Sequence, residues 1–154
     1  MHILRLVPLA FALACGLAFA QARPADPAAD LKSLEGTWVM VSGKRDGEPV
    51  GADHVGKSRI VWKGGDAVVE TPHQAKEPIK AKVTLAAPAA GPRTMDWTRA
   101  NGPDAGRVML AIFEFRGPDE YVVVFAPAGK DRPKELDAKK GSGHTMHVWK
   151  RAKP

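Results

Sequence analysis

Residues 51–58, GADHVGKS, fit the phosphate-loop template letter for letter: Gly51, four further residues, then Gly56, Lys57 and Ser58. In that motif the backbone N–H groups of a glycine-rich turn cradle phosphate oxygens, helped by the dipole of the helix that follows. The chemistry needs a buried strand before the loop and a helix after it. Here RIVWKGGD follows, which alternates like a strand and ends in a hairpin turn. No β-α-β alternation occurs along the chain, and no apolar strand ending in a metal-binding aspartate comes later. Gly51, Gly56, Lys57 and Ser58 are therefore read as a chance match, and no nucleotide is expected.

The histidines carry no stronger pattern. His144 and His147 flank Thr145-Met146, and at that spacing a strand points them to opposite faces, so they cannot share one metal. His54 and His73 are isolated in loops. All four read as titratable surface groups. Neither H-E-x-x-H nor G-x-S-x-G occurs, and no Ser/His/Asp set announces itself. No catalytic residue, metal or cofactor is expected. Asp131-Arg132-Pro133-Lys134-Glu135 reads as a solvated loop stiffened by Pro133.

The tryptophans are more informative. On a period of two, Trp38 shares a face with Met40, Ile60 with Trp62, and Met95 with Trp97. Met40, Trp62, Met95, Trp97 and Phe113 are the candidates for lining a pocket that suits an apolar or aromatic molecule. Plain core packing is the simpler account, because a small barrel fills its interior with such side chains.

The elements that must position these residues are strands. A helical turn, 27–34, precedes them, with Leu31 and Leu34 three apart. Strands are then expected at 36–43, 57–63, 67–71, 79–85, 94–98, 107–116, 120–126 and 144–150, separated mostly by short turns. Gly64-Gly65 marks one tight hairpin. The segment 79–85 alternates cleanly, with Ile79, Ala81, Val83 and Leu85 opposite Lys80, Lys82 and Thr84. The longest strand, 107–116, is apolar on both faces. Its outer face has to be covered by the leader helix or a partner, or be left as an exposed patch. Eight consecutive strands with no helix between them argue for an all-β fold, an antiparallel up-and-down barrel whose closure removes the exposed edges.

The first twenty residues, MHILRLVPLAFALACGLAFA, read as a signal peptide. Arg5 provides the positive start, an apolar stretch follows, and Ala18-Phe19-Ala20 is the cleavage pattern. Ala12-Leu13-Ala14-Cys15 is a loose lipobox, so anchoring of an exported chain through Cys15 is a minority alternative. Residues 21–30 read as a flexible leader and 31–154 as the barrel domain. The chain carries 23 Lys and Arg against 17 Asp and Glu, scattered without a concentrated basic patch. Nucleic acid is excluded on that ground, and no segment after the signal is long and apolar enough to span a membrane.

Gly36-Thr37-Trp38 resembles the G-x-W start of lipocalins and related calycin barrels. In that superfamily the tryptophan seals the closed end and a basic residue from the last strand packs across it, which the resemblance assigns to Arg151. Pro118-Asp119-Glu120-Tyr121 only echoes a second lipocalin feature, and no helix follows the last strand. The runs DLKSLEGTWVMVSGKRDGEPV, VMLAIFEF and VVVFAPAGKDRPKEL, with GSG before a last strand ending in Lys-Arg, are similar to an uncharacterised lipocalin-like domain family abundant in planctomycete bacteria. Val124 departs from it, standing where members often carry cysteine. The resemblance implies an exported barrel with Gly51–Ser58 as a loop at the open mouth, His54 near the entrance and Lys57 facing solvent. The expected function is a periplasmic or extracellular binding module for a small hydrophobic molecule. The alternative is an envelope-associated domain with a filled core that binds another protein.

Overall fold

The computed structural model describes residues 26–72, 77–88 and 90–153. The stretch expected to be a signal peptide, with Cys15, most of the expected leader and His73, lies outside the described residues. The elements in order are helix α1 (Pro27–Leu34) and strands β1 (Gly36–Arg45), β2 (Glu48–Pro49), β3 (Arg59–Lys63), β4 (Asp66–Glu70), β5 (Ile79–Ala86), β6 (Arg93–Arg99), β7 (Val108–Phe115), β8 (Glu120–Phe125) and β9 (Thr145–Arg151). Each strand from β3 to β9 pairs antiparallel with its neighbour in sequence. β1 pairs with both β3 and β9, so eight strands close into an up-and-down barrel. The two-residue β2 is an extra arm folded back on the end of β1.

Local sequence accounts for the turns. Asp46 and Gly47, with φ of 50° and 87°, are the two central residues between paired Arg45 and Glu48. Positive φ at both positions is the primed turn whose twist suits a hairpin. Gly47 has a second constraint: a Cβ there would sit 2.7 Å from the backbone nitrogen of Lys140. Gly64-Gly65 joins β3 to β4 in the same two-residue manner, with Lys63 opposite Asp66.

The inward faces follow the alternation, except in β1. Trp38 and Met40 point inward, opposite Arg151 and Trp149 of β9. A bulge between Met40 and Ser42 then shifts the register, so that Gly43 faces His147 and Arg45 faces Thr145. Strict alternation from Trp38 would have placed Lys44 inside. The extra residue re-aims the strand and brings Arg45 to the barrel mouth instead.

Helix α1 lies across one end. Leu34 is fully buried, and Asp30, also buried, pairs with Arg93 at 2.7 Å. The Asp26 side chain caps the first turn through the Ala28 N–H. The helical turn expected at 27–34 is thus helix α1, packed on the barrel.

Most of the apolar outer face of β7 is covered by the chain itself, with Val108 at its start left 41% exposed. Ile112, Val122, Val124 and Val148 face outward, yet each is buried, as are Pro133 and Ala138 of the long connection between β8 and β9. That connection is a strap. The Arg132 guanidinium donates to the carbonyls of Met95 at 3.1 Å and Ala111 at 2.7 Å, and to the Asp96 carboxylate at 2.5 Å. Further along, Asp137 pairs with Lys44 at 2.9 Å and the Gly143 N–H donates to Asp46 at 2.7 Å. Residues 131–135, expected to be a solvated loop, include the strap's main anchor. The strap, and not the leader helix, covers the face from Ile112 onward.

Candidate functional site

The closed end is built around one indole. Trp38 is completely buried and its Nε1 donates to the Leu34 carbonyl at 2.6 Å. Tyr121 meets it edge-on with ring centres 4.8 Å apart. The Arg151 guanidinium lies 4.2 Å from the centre of the Trp38 ring, within the range of a cation–π contact. It also donates to the carbonyls of Glu35 at 2.8 Å and Ser33 at 2.9 Å, and reaches Asp119 at 3.1 Å. Gly36 enters β1 at φ 105°, a conformation that glycine adopts without strain.

Above this floor the barrel holds a cavity of about 770 Å³. Met40, Trp62, Met95 and Trp97 line it, joined by Ile60, Tyr121 and Trp149. Its wall carries a run of edge-on aromatic contacts: Trp62 to Trp97 at 5.9 Å, Trp97 to Phe125 at 5.7 Å, and His147 to Trp149 at 5.8 Å. Phe113 faces inward but does not line the cavity. It sits further down β7, fully buried, and packs edge-on against Phe115 at 5.7 Å. Shared face fixed its inward direction, while its depth along the barrel axis took it out of the lining.

The mouth is polar. Arg45, Glu48, Gly51 and His54 line it from the β1–β3 segment, with Arg99 from the end of β6 and Thr145 from the start of β9. His147 points inward from β9, on the same face as Trp149 and Arg151, and is not a surface group as the sequence suggested. Burial, reinforced by the positive charges of Arg45 and His54, lowers its pKa to about 4. The imidazole is therefore neutral at neutral pH and behaves as a weakly polar wall. Its neighbour His144 lies on the other side of β9, beside a hollow of about 310 Å³ against the strap. Tyr121 is 1% exposed, and burial drives its phenol pKa well upward.

The phosphate-loop match is a rim turn. Backbone donors from His54 onward are spent on protein carbonyls: His54 on Gly51 at 3.0 Å, Gly56 on Met40 at 2.7 Å, and Ser58 on His54 at 2.9 Å. Lys57 is exposed, whereas the Ser58 side chain is fully buried beneath the turn. β3 begins at Arg59, so Lys57 and Ser58 complete the turn and do not start the strand. No helix follows to lend its dipole.

Among the described residues no three His, Cys, Asp or Glu side chains come together to hold a metal. Nor is any helix among them long and apolar enough to cross a membrane. The mouth-lining Arg45 and the inward His147 were missed by sequence reasoning. The signal for His147 was its place two residues before Trp149 and four before Arg151. Compared with protein-family models, curated proteins and solved structures, the chain matches none.

Proposed function

We propose that this protein is an exported, lipocalin-like binding module that holds a small, largely apolar molecule inside its barrel. The observation that carries this reading is the cavity of about 770 Å³, bounded by Met40, Trp62, Met95, Trp97 and Trp149 and open at a polar rim. Cavities that take small organic molecules have this size, with apolar and aromatic walls and a few polar groups. A domain that only presents an outer surface has no use for such an interior. The strap also takes away most of the apolar outer face on which a protein partner would have docked. Binding is passive: apolar surface leaves water on both sides, and aromatic edges grip a planar body.

Tryptophan fluorescence tests the reading, because Trp62, Trp97 and Trp149 all border the cavity. Titration with a panel of hydrophobic aromatic and alicyclic compounds should give saturable quenching or a spectral shift with some members. If emission stays unchanged for every compound up to its solubility limit, the barrel is not a carrier.

A further inference from the structure

The floor of the cavity contains a hydroxyl group. The Tyr121 hydroxyl accepts a hydrogen bond from Trp62 Nε1 at 3.2 Å. A phenol also has a proton to donate, and among the described residues no acceptor receives it. Around the floor stand Met40, Met95, Trp62, Trp97 and Trp149, none of which offers an oxygen. The charged groups that line the cavity, Arg45, Asp46, Glu48 and Arg99, belong to the mouth. A hydrocarbon filling the floor would therefore strand a buried donor, which is costly. A molecule carrying an oxygen acceptor would satisfy it. An ionised carboxylate would be a poor occupant there, because the cations among the lining residues stand at the mouth, while Arg151 below the floor lies across Trp38 and is engaged by Glu35, Ser33 and Asp119. Burial keeps the phenol neutral, so it acts only as a donor toward such a ligand.

From this we infer that the barrel selects a neutral apolar molecule bearing a carbonyl or comparable acceptor oxygen, inserted oxygen-first so that Tyr121 donates to it. Tyr121 is then the specificity-determining residue of the cavity. The inference rests on the binding reading above and narrows it to a ligand class and an orientation.

Three matched probes test it by equilibrium dialysis: 2-acetylnaphthalene, 2-ethylnaphthalene and 2-naphthoate. They share a ring system and differ in carrying a neutral carbonyl, no acceptor, or a charged carboxylate. The full chain should bind 2-acetylnaphthalene about ten-fold more tightly than 2-ethylnaphthalene, the worth of one hydrogen bond. It should bind 2-naphthoate more weakly than the ketone. In Tyr121→Phe the ketone's advantage should fall, and it should vanish in Trp62→Phe/Tyr121→Phe, where the indole N–H that the first change frees is gone as well. Equal binding of ketone and hydrocarbon by the wild type would overturn the inference while leaving the carrier reading intact. The same holds if the carboxylate binds as tightly as the ketone, or if the preference persists in Trp62→Phe/Tyr121→Phe. Failure of all three to bind the wild type would remove both. The comparison of probes on the wild type decides the matter even if the variant folds poorly.

Discussion

Replacing Arg151 by alanine removes a guanidinium that joins the helix–strand junction, the β7–β8 turn and the last strand. Two of its bonds, to the carbonyls of Glu35 and Ser33, have good length at 2.8 and 2.9 Å. A charged donor on a carbonyl contributes about 1.5 kcal/mol at the low end, which suits a side chain 34% exposed. The cation over Trp38 adds about 1 kcal/mol. The pair with Asp119 adds little, since that carboxylate is 72% exposed. Allowing for incomplete additivity among neighbours, Arg151→Ala should lose about 3 to 4 kcal/mol. That is a large share of the 5 to 15 kcal/mol typical of a whole domain. Arg151→Lys keeps a cation near the indole but cannot reach both carbonyls with a planar fork, so it should lose about half as much. Urea unfolding followed by circular dichroism measures both. With a slope of about 1.5 kcal/mol per molar, the alanine variant's midpoint should fall by about 2 M. A loss under about 1 kcal/mol at unchanged slope, or identical losses for alanine and lysine, would refute this account of the sealed end. Ligand affinity should not change, because the guanidinium lies beneath the opposite end of the barrel from the mouth.

Two further outcomes are expected. Arg132→Ala removes the three bonds that pin the strap to β6 and β7, and should cost about 2 to 3 kcal/mol. It should also speed tryptic cleavage at Lys130, Lys134 and Lys139, read by mass spectrometry; unchanged cleavage would mean that the strap is held elsewhere. His147 should make the fold acid-sensitive. Its folded pKa of about 4 lies below its ordinary 6.5, so as pH falls between these values the unfolded chain takes up a proton that the folded chain refuses. Stability is full above about pH 6.5 and declines toward pH 4, by up to about 3 kcal/mol from this group. His147→Phe should lack that share of the decline. Parallel urea midpoints for wild type and variant across this range would contradict it.

The architecture was legible because its signals are local. Alternation such as Ile79, Ala81, Val83 and Leu85 against Lys80, Lys82 and Thr84 sets a strand and its inward face, and Gly64-Gly65 sets a hairpin. Four of the five pocket candidates, Met40, Trp62, Met95 and Trp97, do border the cavity. Phe113 does not, since period two gives direction and not depth. Arg45 was hidden by the bulge at Val41, which inverts the alternation without a sequence marker of its own. Arg132 was hidden for another reason. Its partners Met95, Asp96 and Ala111 lie 21 to 37 residues away in sequence, and no periodicity exists within a loop to announce such a contact. The doubly apolar face of 107–116 did signal that something must cover it. What covers it is a polar-looking segment whose buried parts are single residues, Pro133 and Ala138.

The sealed end also gives the molecule a direction. Asp26 begins the helix laid across the floor, and Arg151 ends the strand that bonds to that same helix junction. The described chain therefore enters and leaves at the same pole, opposite the entrance. Held to a bead, a sensor surface or a larger protein by that pole, the barrel stands like a cup on its base, with its opening left free.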